Sequence, residues 1–226
     1  EIKTLSPKSA EELHGMVKTK QYHKLLVVRH PFQRLVSAYR DRIEDTSKFT
    51  SQAWIYVPRI FALTRPSLNR SQIFDINHHQ HKLSIVPTFQ EFVEWLLVIP
   101  ASKYDVHWNR YSDQCSPCII HYDFVTKMDS FSKEEEVLLM RQMGLKHLNV
   151  SLPHLQESSG GSTDFNVTCQ YFQQLIPEQI KALYAIYHTD FEMFHYSPQP
   201  YINCAQRKSG LKDMSVPNVA TRNVIK

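Results

Sequence analysis

Long apolar runs are missing from this chain of 226 residues: Trp95 to Ile99 is among the longest, whereas a bilayer-spanning helix needs roughly 20 consecutive apolar residues. No segment is therefore predicted to span a membrane. A strong charge surplus is missing too, with 26 Lys and Arg against 22 Asp and Glu. The resulting net charge of +4 is too mild to read as a nucleic-acid patch, so no nucleic acid is expected as a partner, although an anionic ligand would suit it. The chain opens at Glu1 with no Met, no basic n-region and no apolar h-region, so it is expected to be part of a longer product. Internal repeats are absent, and a composition of 42% hydrophobic, 12% aromatic and 21% charged residues excludes disorder, collagen and a coiled coil.

Cysteine is sparse but even in number. Cys115, Cys118, Cys169 and Cys204 are compatible with two disulfides in any of three connectivities, and equally with free thiols. Three acceptor sequons, at Asn69, Asn149 and Asn166, sit in polar stretches read as loops and lean towards the secretory pathway.

Local patterning predicts alternating strands and helices. Leu25 to Val28 is a short continuous apolar run suited to a strand buried on both faces, and Pro31 is placed to begin a helix. Leu35, Val36, Tyr39 and Ile43 then recur at helical spacing. A short helix is expected around Ala53 to Leu63, and a clear one after Thr88, which forms a capping box with Glu91 and ends at Pro100. Ile119 to Val125 reads as a second strand, followed by a helix capped by Ser132 and Glu135 and closed by Gly144. Ser158 to Ser162 marks a flexible loop. Pro177 opens a helix with a wide apolar stripe through Ile180, Leu183, Tyr187 and Phe191. Residues 197–226 show no periodicity and are read as a tail behind a domain of residues 1–196.

Arg29, ending the first strand, and Ser37, two turns into the next helix, are the most informative pair. A phosphate beside a helix start gains from free N–H groups and the positive end of the dipole, and Arg adds a bidentate clamp. The alternative, left open by spacing, is an Arg paired with a neighbouring carboxylate and a Ser facing a tight packing site.

These residues carry a resemblance. Residues 27–41, Val-Val-Arg-His-Pro-Phe-Gln-Arg-Leu-Val-Ser-Ala-Tyr-Arg-Asp, resemble the 3'-phosphate-binding motif of the Golgi carbohydrate sulfotransferases related to chondroitin 4-O-sulfotransferase. Three more blocks follow in the same order: Phe89 to Val93; Asp105-Val106-His107-Trp108 through Cys115 and Cys118 to Lys127; and Tyr171 to Phe194. The resemblance implies an α/β three-layer sulfotransferase domain with a P-loop NTPase-like parallel sheet. It implies 3'-phosphoadenosine 5'-phosphosulfate as co-substrate, with Arg29 and Ser37 holding the 3'-phosphate, no metal, and a glycan acceptor such as a glycosaminoglycan (chondroitin or dermatan) or a related sugar. It also implies a glycoprotein of carbohydrate and proteoglycan biosynthesis, held in the Golgi membrane by a signal-anchor outside this chain, with its globular domain in the lumen.

Departures from the family pattern are expected to matter. No upstream 5'-phosphosulfate loop is recognisable in residues 1–24, where Pro7-Lys8-Ser9 is a superficial echo, so the domain is expected to be N-terminally incomplete. Arg110 replaces a family proline, and Ile176 replaces a hydroxyl cap before Pro177. His107 is the candidate catalytic residue or acceptor contact, with Trp108 able to stack on a sugar, against the alternative of a structural His. Arg34, Arg40 and Arg42 either face an anionic glycan or form a solvated helix face. A zinc site at Cys115 and Cys118, or a metal at His78, His79 and His81, is set below disulfides and a polar loop. The expected function is a carbohydrate sulfotransferase; the alternative is a non-catalytic member that binds nucleotide and glycan.

Overall fold

The computed structural model describes residues 7–77, 80–145, 147 and 161–212. The loop expected at Ser158 to Ser162 lies outside the described residues except for its last two, as do His78, His79 and Asn149. Helix α1 (Ala10–Lys18) starts at Ser9, whose hydroxyl accepts the Glu12 N–H at 3.1 Å. Strand β1 (Leu25–Val28) leads through Arg29 and His30 into α2 (Pro31–Tyr39), which widens into a π-helical turn over Arg40–Glu44. Next come α3 (Ser51–Thr64), the short α4 (Arg70–Ile73) and an antiparallel hairpin of β2 (Phe74–Asn77) and β3 (Gln80–Leu83). Helices α5 (Phe89–Val98) and α6 (Tyr111–Gln114) precede β4 (Phe124–Lys127) and α7 (Lys133–Gln142), and α8 (Phe165–Phe172), α9 (Pro177–Met193) and α10 (Gln199–Lys212) complete the described chain.

Local chemistry sets most of these boundaries. Pro31 takes the first position of α2, where its missing N–H costs nothing, and the His30 ring nitrogen accepts the Phe32 N–H at 3.2 Å as the cap. Thr88 with Glu91, and Ser132 with Glu135, form the expected reciprocal capping boxes. Gly144 closes α7 with φ +71°, a conformation that favours glycine. Ile176 lacks a side-chain oxygen, yet half of a capping box survives because the Gln179 side chain accepts the Ile176 N–H at 3.0 Å.

The architecture is α/β. β1 and β4 pair in parallel, Leu25 against Phe124 through Val28 against Lys127, and the main core gathers α2, α3, α5, α8, α9 and α10. A smaller cluster of Leu26, Val28 and Phe194 packs α9 onto the parallel pair. β1 is nevertheless half-buried rather than buried on both faces: Leu26 and Val28 point inward while Val27 is 42% exposed. The second strand starts later than expected, at Phe124. Ser116, with φ +45°, accepts the N–H groups of Ile119 and Ile120, so these two residues close a turn instead of joining the sheet.

Within the stretch read as a tail, residues 199–212 form a helix, and residues 213–226 lie outside the described residues. Helix α10 packs on α8 and α9, Tyr201 and Cys204 are buried, and a disulfide joins Cys204 to Cys169. Sequence periodicity missed it because its burial rests on a few residues and a covalent tie. Cys115 and Cys118 are free thiols, so the chain holds one disulfide rather than two. Two of the sequons also depart from the loop expectation, since Asn69 caps α4 and Asn166 lies in α8. No described helix is long and apolar enough to cross a membrane.

Candidate active site

The turn that joins β1 to α2 places Arg29 at the carboxyl end of the parallel pair, where α/β sheets present ligand crevices. Its backbone N–H donates to the Tyr111 hydroxyl at 3.1 Å, and its guanidinium donates to the carbonyl of Thr163. Burial pulls the Arg29 pKa down, but a guanidinium starts so high that the charge persists. Among the described residues no carboxylate forms an ion pair with it. Its side-chain hydrogen bond goes to a neutral carbonyl, and the Asp129 carboxylate acts on it only from beyond ion-pair distance, so a partly buried cation is left able to meet an incoming anion.

Arg29, Ser37 and His107 line one cleft of about 150 Å³, together with Arg34, Ala38, Asp41 and Arg42. The three residues singled out from sequence thus converge, although 70 positions separate Ser37 from His107. The volume falls below the roughly 300–1,000 Å³ of a whole small-molecule pocket and suits a phosphate group and its immediate surroundings.

The three other arginines do three different things. Arg34 donates to the carbonyls of Val106, at 2.8 Å, and Asn109, reaches Gln114 at 3.2 Å, and lies over the Tyr111 ring at 4.4 Å. It fastens the segment carrying His107 onto α2. Arg40 is only 8% exposed and donates to the Thr163 hydroxyl at 2.7 Å and the Gly161 carbonyl at 3.3 Å. Neither forms the solvated face that was one of the sequence alternatives. Arg42 lines the cleft beside Asp41, whose carboxylate is 3.0 Å away and also binds Lys48 at 2.7 Å.

His107 sits in a turn stabilised by Asp105, whose carboxylate accepts the His107 backbone N–H at 3.0 Å and hydrogen-bonds its ring Nδ1. Gln52 and Tyr56, from α3, donate to the other oxygen of Asp105 at 3.3 and 3.5 Å. Burial alone would raise the Asp105 pKa, but the hydrogen bonds from the His107 ring and backbone and from Gln52 outweigh it and hold the carboxyl below its usual range. Sequence reasoning found no partner for His107, because two-residue spacing in an irregular turn has no periodic signature.

Several expectations are revised here. Trp108 is 1% exposed and packs against Phe92, Trp95 and Tyr56, so it belongs to the core and cannot stack on a sugar. Arg110 pairs with Asp113 at 2.6 Å in the first turn of α6. Ser9 is occupied as a helix cap, and neither it nor Lys8 lines the cleft.

An α/β chain with an arginine-lined cleft at the mouth of a parallel strand pair has the chemistry to receive an anionic group. Comparison narrows this class. Residues 1–197 match the model of the Sulfotransferase family, and the chain belongs to that family. It is 35% identical to carbohydrate sulfotransferase 8 of Mus musculus over 182 residues, which cover 78% of this chain and 40% of that protein. Identity is 31% to carbohydrate sulfotransferase 11 of Rattus norvegicus over 205 residues, 89% of this chain and 54% of that one. With carbohydrate sulfotransferase 12 of Xenopus laevis it is 30% over 187 residues, 81% and 42%. The chain therefore spans two-fifths to just over half the length of these relatives. No solved structure matches it.

Proposed function

We propose that this chain belongs to a carbohydrate sulfotransferase that moves a sulfuryl group from 3'-phosphoadenosine 5'-phosphosulfate to a glycan hydroxyl. The observation that carries the reading is the convergence of Arg29, Ser37 and His107 on one cleft. Arg29 supplies the charge clamp for the 3'-phosphate and Ser37 a neutral donor. His107 takes the proton of the acceptor hydroxyl as its oxygen attacks sulfur. One S–O bond forms to the glycan, the S–O bond to the 5'-phosphate breaks, and 3',5'-adenosine bisphosphate leaves with the bonding pair.

The parallel pairing of β1 and β4, with a helix following β1, supports a three-layer, P-loop-like sheet as the finer description of the fold. The domain carrying the site extends through α10, because Tyr201 and Cys204 complete its core. A glycosaminoglycan or related sugar is the proposed acceptor and the Golgi lumen the proposed setting, resting on the carbohydrate sulfotransferase relatives and on the Cys169–Cys204 disulfide. The test is transfer of labelled sulfate to desulfated chondroitin or dermatan by the full-length protein. Transfer that disappears in Arg29→Ala supports the reading. Nucleotide binding without transfer to any glycan would reduce it to the non-catalytic alternative.

A further inference from the structure

The His107 ring is held from one side only. Its Nδ1 meets the Asp105 carboxylate, while no described residue hydrogen-bonds its Nε2, and His107 lines the cleft shared with Arg29 and Ser37. An ionised carboxylate is acceptor-only, so the proton in that contact resides on Nδ1 and the Nε2 lone pair is left free.

We propose that Asp105 is the positioning residue of this cleft: its carboxylate, braced by Gln52 and Tyr56, fixes His107 in the Nδ1–H tautomer and leaves Nε2 to receive the acceptor proton. The proposal rests on the transferase reading above. Its physical content is threefold. The backbone N–H of His107 and its Nδ1 both address the same Asp105 oxygen, which locks the turn and the ring together. Gln52 and Tyr56 address the other oxygen, so α3 sets the plane of the carboxylate. The carboxylate charge then lies beside the imidazolium that forms when Nε2 takes a proton.

Asp105→Asn tests this in the full-length protein. An amide can present its NH2 to Nδ1, which favours the opposite tautomer and removes the Nε2 lone pair. Turnover on desulfated chondroitin should fall about 100-fold or more, with affinity for 3',5'-adenosine bisphosphate within about twofold of wild type. In 15N-detected spectra of the histidine rings, His107 should carry its proton on Nδ1 in the wild type and on Nε2 in the variant. Asp105→Glu should recover part of the turnover, and Asp105→Asn placed on His107→Ala should cost nothing further. Unchanged turnover in Asp105→Asn, or a wild-type His107 protonated on Nε2, overturns the proposal while the transferase reading stands. Conversely, a protein that transfers no sulfate yet shows the tautomer change loses the transferase reading, and the assignment of the ring to Asp105 survives.

Discussion

The Asp190 carboxylate, fully buried in α9, accepts the backbone N–H of Tyr111 at 2.7 Å and that of Ser112 at 2.8 Å. These are first-turn donors of α6, whose preceding residue Arg110 contributes no side-chain cap, so α9 caps α6 across the fold. Tyr111 passes the constraint on: its hydroxyl accepts the Arg29 N–H and its ring carries the Arg34 guanidinium. Helix α9, legible in the sequence as a core face, thus also fixes the Arg29 end of the cleft through Asp190. Asp190→Ala should lower unfolding stability by about 1–3 kcal/mol, because it strands two N–H groups without their acceptor. It should also weaken binding of 3',5'-adenosine bisphosphate. Urea unfolding and calorimetry check both effects; a stability loss with unchanged nucleotide affinity would disconnect α6 from Arg29.

Arg29→Ala should weaken binding of 3',5'-adenosine bisphosphate far more than binding of adenosine 5'-phosphate. The lost contact is charge-assisted and partly buried, and its removal should cost on the order of 2 kcal/mol for the ligand that carries a 3'-phosphate. Calorimetry on the two nucleotides decides the matter. An equal loss for both would move the 3'-phosphate away from Arg29.

Arg34→Lys should lower turnover while sparing nucleotide affinity. A lysine keeps the charge but loses the planar fork that reaches the carbonyls of Val106 and Asn109 together and stacks on Tyr111. The segment with His107 would then be less tightly held on α2. Steady-state kinetics should show kcat falling severalfold. Wild-type turnover in this variant would mean that the core packing of Trp108 holds the segment without Arg34.

Thiol counting separates the disulfide reading from the sequence expectation. The unfolded, unreduced protein should release two thiols, Cys115 and Cys118, rather than none. In the folded protein at mildly alkaline pH the exposed Cys118 should alkylate first, since burial pushes the Cys115 thiol up and keeps it protonated. Mass mapping after brief alkylation would reveal the order, and a count of zero or four would contradict the observed pairing.

What was legible in the sequence follows from how local each determinant is. The turn at Arg29, His30 and Pro31 and the two capping boxes depend on residues one to three apart, and they stand where their chemistry places them. Trp108 was misjudged because a large aromatic beside a candidate His looks the same whether it faces a sugar or Phe92 and Trp95. The partners of Arg40, at Gly161 and Thr163, lie more than a hundred residues away across the fold, and no pattern announces them. Helix α10 was hidden for a related reason. Pro198 stands just before it and Pro200 is its second residue, and what holds it, Cys169 and the rings around Tyr201, comes from elsewhere in the chain.

His30 makes stability depend on pH in a direction that geometry determines. Its Nδ1 accepts the Phe32 N–H, so its proton sits on Nε2, which donates to the Ser197 carbonyl at 3.1 Å. The ring is 7% exposed among Phe191, Tyr196 and Tyr201. Burial, the largest influence, lowers its pKa from the ordinary value of 6.5; Lys127 and Arg29 push the same way, against the Ser197 carbonyl and Asp129. A depressed value in the folded state means that the unfolded chain binds the proton more readily. The contribution is therefore complete above about pH 6.5 and is lost as pH falls through the lower folded value. His30→Asn retains a side-chain acceptor for the Phe32 N–H, so α2 keeps its cap while the titrating group is removed. The variant should be less stable at pH 7.5, having lost the ring contacts, but its deficit should shrink between pH 6.5 and 5. Urea midpoints for both proteins across that range measure the difference. A deficit that stays constant or widens in acid would mean that His30 takes up its proton inside the fold without penalty, and that the contact between the β1–α2 turn and Ser197 does not depend on a neutral ring.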